Sequence, residues 1–225
     1  MQSDSFDGLR HLGMCGASLD HGLELRCLSD IPAQQVHWLW PGRIARGKVT
    51  VFAGHPGVGK SQLALAIAAI AAIVTSGGCW PVDGFRAERG SAVMLSAEDD
   101  AADTIRPRLE AAGADLTRCH IIDGVRDRGG GREMVREFSI LDDLPKLATA
   151  LALVGDAALV IIDPITAYLG AMDSHRNAEV RAALAPLAQL AAKHGVAVLA
   201  ISHLRKTLIG DAVIDATTPR LRRSC

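Results

Sequence analysis

The chain has 225 residues, 49% of them hydrophobic, enough for one α/β domain of ordinary size with a sizeable core. Its net charge of −1 supplies no global attraction to nucleic acid, so any such contact must come from a local patch or from assembly. Cys15, Cys27, Cys79, Cys119 and Cys225 form no C-x-x-C pair and no zinc-ligand cluster, which excludes a disulfide framework and reads as reduced thiols in a cytoplasmic protein.

Residues 1–30 read as a poorly structured extension. Its opening, MQSDSFDGLRHLGMCG, lacks the basic region and continuous apolar stretch of a secretory signal, and Met14 competes with Met1 as the start. From there short apolar runs alternate with longer helical ones over a core spanning 31–206. KVTVFAG (48–54) precedes a helix at about 60–75. The apolar run LALAIAAIAAIV (63–74) would span about 18 Å at ~1.5 Å per residue, short of a ~30 Å bilayer core, so it is a buried helix and no membrane partner is expected.

SAVMLSAE (91–98) precedes a helical stretch at about 100–113, and CHIIDGV (119–125) a helix near 141–154. ALVIID (158–163) precedes a helix near 177–194, and VAVLAISHL (196–204) closes the series. The strands are apolar on both faces, as in a parallel sheet covered on both sides. The predicted fold is therefore a wound α/β sheet, mostly parallel, with helices on both faces.

In the 177–194 segment Val180, Leu184, Leu187 and Leu190 recur at helical spacing, and Lys193, His194 and Gly195 make a basic last turn with a glycine stop. Pro107 and Pro186 should each kink or split a helix. WPVDGFRAERG (80–90) and GVRDRGGGREMVREF (124–138) read as loops. Arg126, Arg128, Arg132 and Arg136 in the second are taken as a solvated flexible loop rather than a DNA patch.

GHPGVGKS (54–61) fits G-x-x-x-x-G-K-[ST] between a strand and a helix, where phosphate chemistry needs it. Gly54, Gly57 and Gly59 let successive backbone N–H groups curl around a phosphate, and the helix start adds partial positive charge. The candidate nucleotide-binding segment is Gly54, His55, Pro56, Gly57, Val58, Gly59, Lys60, Ser61 and Gln62. Within it Lys60 would reach the β- and γ-phosphates of ATP, and the Ser61 hydroxyl would ligate Mg²⁺.

Asp163 ends a neighbouring strand and is the candidate metal-side acid opposite Ser61. Many such sites place a water-activating glutamate beside that aspartate, but Pro164 occupies the position. The base must then come from another strand tip, and Glu98 in SAEDD (96–100) emerges at the same edge. The competing role of this acidic run is to cap the next helix, a task for Asp99 or Asp100 that leaves Glu98 for catalysis. In ISHLRK (201–206), Ser202 and His203 leave the sheet at the same edge, with His203 within reach of a γ-phosphate and Lys206 just beyond.

GHPGVGKS, SAEDD, LVIIDP and ISHLRK follow in the order seen in RecA-like ATPases, and roughly 37–206 resembles the AAA-type group that includes the RepA hexameric replication helicases. The resemblance implies that Lys60 and Ser61 bind ATP and Mg²⁺, Asp163 is the metal-side acid, Glu98 the catalytic glutamate and His203 a γ-phosphate sensor. It also implies a homo-oligomeric ring, a hexamer in that group, with ATP between subunits and single-stranded DNA as a partner of a replication or mobile-element motor. DNA contacts would come from around Tyr168 to Arg176 and from beyond His203.

Members of that group continue with further strands and an arginine that completes the neighbouring subunit's site, whereas 207–225 reads as a truncated or atypical tail. Arg220, Arg222 and Arg223 read as a loose basic terminus rather than a replacement finger. The alternative function is accordingly an ATP-binding switch or adaptor with little hydrolysis. A small-molecule kinase would need an acceptor site and an arginine-bearing lid, and no stretch between 80 and 138 supplies them.

Overall fold

A computed structural model describes residues 26–54, 60–129, 132–169 and 177–203. The chain divides into two compact units, 1–36 and 37–225. In the first, the described residues hold one 3₁₀ turn, Leu28–Asp30, with no buried residue.

The second unit opens with a small antiparallel pair, β1 (Trp38–Trp40) and β2 (Ile44–Ala45). The alternation of short strands and longer helices then runs as predicted: β3 (Val49–Gly54), α1 (Lys60–Ser76), β4 (Ser91–Ser96), α2 (Arg106–Ala111) and β5 (Cys119–Ile121). A hairpin of β6 (Val125–Gly129) and β7 (Arg132–Arg136) follows, then α3 (Ile140–Val154), β8 (Ala157–Asp163), α4 (Asn177–His194) and β9 (Ala197–His203). The main sheet has five strands in the order β3-β9-β8-β4-β5, and every pairing in it is parallel.

Side chains alternate between the faces of a strand, and here both sets are buried. Val93, Leu95, Val160, Ile162, Val198 and Ala200 join α3 and α4 through Leu147, Leu151, Leu187 and Leu190. Their neighbours Ala92, Met94, Leu159, Ile161, Leu199 and Ile201 join α1 and α2 through Ile67, Ile70, Val74 and Leu109. This double burial is why the strands carry continuous apolar runs. The two edge strands are exceptions, with Val51 and Phe52 of β3 exposed and Cys119–Ile121 of β5 only half-buried.

Three local expectations need correction. The stretch 124–138 is not a flexible loop: β6 and β7 pair from Val125 opposite Arg136 to Gly129 opposite Arg132. Charged pairing fixes the hairpin, because Arg136 donates to Asp127 at 2.6 Å and to the buried Asp143 of α3 at 2.6 and 2.8 Å. The strand at 119–125 ends earlier, at Ile121. The helix holding Pro186 runs unbroken from Asn177 to His194. A proline forfeits one helical bond, and the packing of Leu184, Leu187, Leu190 and Ala191 on the sheet retains the helix around it. Gly195, at φ 65°, ends it as the sequence implied.

Pro107 does divide its helix. A π-helical turn, Ala101–Ile105, in which Ile105 N–H reaches back to Asp100 C=O at 2.9 Å, gives way to α2, with Pro107 in its first turn.

Candidate functional site

Parallel strands send their carboxyl ends to one edge, the edge where open α/β sheets bind ligands. Here β3 ends at Gly54, β4 at Ser96, β8 at Asp163 and β9 at His203. Gly54 lies opposite His203, and Ser96 opposite Asp163. Ile162 pairs with Ala200, which sets Asp163 level with Ile201 and puts His203 two residues beyond it. Glu98, expected to end its strand, lies instead in a bend two residues past the strand's end at Ser96.

The β3-to-α1 passage has the predicted form, with the strand ending at Gly54 and the helix starting at Lys60. His55, Pro56, Gly57, Val58 and Gly59 lie outside the described residues, as do the side chains of Lys60, Ser61, Gln62 and His203.

Asp163 is half-buried and joined to Pro164 through a cis peptide bond. The chain then makes a 3₁₀ turn, Ile165–Tyr168, that buries Ile165 and Tyr168. Tyr168 packs edge-on against Phe138, with ring centroids 6.3 Å apart. Burial, aided by the nearby charges of Asp163 and Glu137, pushes its phenol up to about 12. Tyr168, at the start of the loop expected to contact DNA, is thus buried. The rest of that expected contact, 170–176, lies outside the described residues.

The acidic run after β4 divides its tasks. Asp100 caps the π-helical turn, accepting from Ala102 N–H at 2.7 Å and Asp103 N–H at 3.1 Å. Those backbone bonds, led by Asp103, hold its carboxyl below its ordinary value. Asp99 accepts from Arg108 Nη1 at 2.5 Å, and its N–H donates to Ser96 Oγ at 3.3 Å. Glu98, between strand tip and cap, is exposed. Capping therefore falls to Asp100, one of the two residues the sequence left open, while the Asp99–Arg108 pair was not anticipated. Its nine-residue separation crosses the change from π to α geometry, so no helical spacing rule points to it.

Behind the edge, a cleft between α1 and α2 is lined by Ala64, Ile67, Met94, Ser96, Arg108 and Asp163 among others. Among the described residues no group of three or more His, Cys, Asp or Glu comes together to hold a metal. A single carboxylate at a strand tip suits Mg²⁺, which favours few protein ligands alongside substrate phosphates and water. Asp163 fits that role, with Ser61 as the candidate second ligand.

The parallel sheet, the strand–loop–helix passage and the acids at its edge define a RecA-like P-loop NTPase fold. The chain belongs to the family of AAA-type P-loop ATPases, whose model, described as an AAA domain, matches residues 24–208. No curated protein sequence matches the chain. Among the described residues no helix is long and apolar enough to cross a membrane.

Proposed function

We propose that the chain is a Mg²⁺-dependent ATPase in which Glu98 activates the attacking water. The observation that carries this reading is the convergence of Gly54, Glu98, Asp163 and His203 on one sheet edge. The glycine-rich segment 54–59 and the start of α1 would cradle the phosphates, and the Lys60 ammonium would draw negative charge toward the leaving side. Asp163 and Ser61 would hold Mg²⁺, which would neutralise phosphate charge when bound. Glu98 accepts the proton of the water as it attacks the γ-phosphorus, and ADP departs as the leaving group. His203, next to Gly54 in register, senses whether the γ-phosphate is present.

The finer reading is a replication or mobile-element helicase-type motor that assembles as a ring on single-stranded DNA in the cytoplasm. Its support is the resemblance of 37–206 to RepA-type helicases. Lys60→Ala tests the cradle: ATP binding should weaken at least tenfold, and parent-like affinity would refute it. Turnover stimulated by single-stranded DNA in a ring-sized assembly would support the motor. Turnover indifferent to DNA would remove that assignment and leave the ATPase.

A further inference from the structure

The loop that presents Glu98 is held at successive points. Ala97 N–H donates to Asp163 C=O at 3.0 Å, Asp99 N–H donates to Ser96 Oγ at 3.3 Å, and Asp100 closes on Ala102 and Asp103. The Ala97 and Asp100 bonds flank Glu98 by backbone and cap. A further bond on Asp99, from Arg108 Nη1 to Asp99 Oδ2 at 2.5 Å, ties the residue immediately after Glu98 to α2.

Arg108 is well placed for that task. It projects from a helix whose Leu109 is buried against the α1 face of the sheet, so its own backbone is anchored in the core. Both partners are about one-third exposed, at 35% each, and they share the cleft with Ser96 and Asp163. An exposed ion pair contributes little to global stability. Its larger consequence is geometric: the Ser96–Asp99 bonds stay within the loop and the Ala97 bond runs to β8, whereas the guanidinium links the loop to α2.

We infer that Arg108 is a positioning residue for Glu98, locking the 97–100 loop through Asp99 so that the glutamate meets the water above the γ-phosphate. The inference rests on Glu98 being the base. It concerns a group that acts through another, so binding of ATP should be indifferent to it while the chemical step is not. Misplacing a reacting group by about 1 Å can cost on the order of 10²-fold in rate.

The test compares the full chain with Arg108→Gln, Arg108→Lys, Asp99→Asn and Glu98→Gln, measuring ATP affinity, kcat and amide exchange over 97–103. Arg108→Gln and Asp99→Asn should each lower kcat by about 10- to 100-fold, leave ATP Kd within about twofold, and speed exchange at Asp99. Arg108→Lys should recover most of the rate, because a single charged contact suffices. In the Glu98→Gln background, Arg108→Gln should have no further effect on kcat. Exchange is read on the nucleotide-free chain, so it decides the loop's attachment whatever the turnover. Unchanged exchange at Asp99 would overturn the inference, as would weakened ATP binding at unchanged kcat, which would make Arg108 a nucleotide ligand. Parent-rate turnover by Glu98→Gln would instead overturn the assignment of the base, and a Glu98→Gln defect without an Arg108→Gln defect would overturn the positioning role alone.

Discussion

The backbone N–H of Ala97 donates to the carbonyl oxygen of Asp163 at 3.0 Å. The bond extends the β4–β8 ladder one step past the Ser96–Asp163 pair, so the loop bearing the proposed base is stitched to the strand tip bearing the proposed metal acid. On the proposal that Glu98 is the base, adjacency across the sheet would stand in for adjacency along the chain, where Pro164 follows Asp163.

Tyr168 offers a direct probe of this edge, because it is the only tyrosine in the chain. Its phenol should titrate at about 12, above an ordinary tyrosine, since burial and the charge of Asp163 both oppose the phenolate. A raised phenol stabilises the fold below its unfolded value of about 10 and loses that contribution as pH rises through the folded value. Phenolate absorbance against pH measures it, and Asp163→Asn should lower the midpoint. An ordinary midpoint in the folded chain would show that Tyr168 is not enclosed as described.

Asp143 should govern part of the acid sensitivity. Its buried carboxylate accepts from Arg136 at 2.6 and 2.8 Å, Lys146 Nζ at 2.9 Å and Ser139 N–H at 3.0 Å. The Arg136 guanidinium foremost holds it well below the usual carboxylate range. The folded form thus binds a proton less readily than the unfolded chain, so this stabilisation is full above about pH 4 and is lost as pH falls toward the folded value. Denaturant titrations at successive pH values should show Asp143→Asn less stable near neutrality and with a shallower acid slope. An unchanged slope would contradict the assignment.

Trp80 is 1% exposed and stacks on Trp40 with centroids 4.7 Å apart and planes within 5°, while the Arg43 guanidinium lies 5.0 Å from the Trp40 ring. Trp80→Ala should cost about 3–5 kcal/mol of unfolding free energy, read by chemical denaturation. A loss below about 1 kcal/mol would mean the stack does not support the fold.

Gly90 stands where a side chain has no room. An added Cβ would lie 2.6 Å from Ala158 Cβ and 3.0 Å from Asp156 C=O, just before Ser91 N–H bonds to that same carbonyl. Gly90→Ala should destabilise the chain by about 1–3 kcal/mol through overpacking, whereas an alanine at the uncrowded Gly155 would be penalised by its φ of 81° instead.

Fold and edge were legible to different degrees. The buried strands announced themselves because both faces are covered, and Asp163 ends its strand where the apolar run turns polar, whereas β4 stops at Ser96, two residues short of the expected Glu98. The β6–β7 hairpin was hidden, because its glycines and arginines look like a solvated loop until Asp143, on a later helix, supplies the buried countercharge. The Asp99–Arg108 tie and the Trp40–Trp80 stack were hidden for the same reason. Each joins residues whose proximity depends on how a turn or a distant segment is folded, and no local periodicity encodes that.

The most direct test of the central claim is steady-state ATP turnover with Mg²⁺ for the parent chain and Glu98→Gln, beside ATP affinity for both. The account predicts hydrolysis by the parent, a loss of at least 100-fold in kcat on removing the general base, and ATP affinity retained within about twofold. Glu98→Gln turning over at the parent rate would contradict it and move the base elsewhere on the sheet edge.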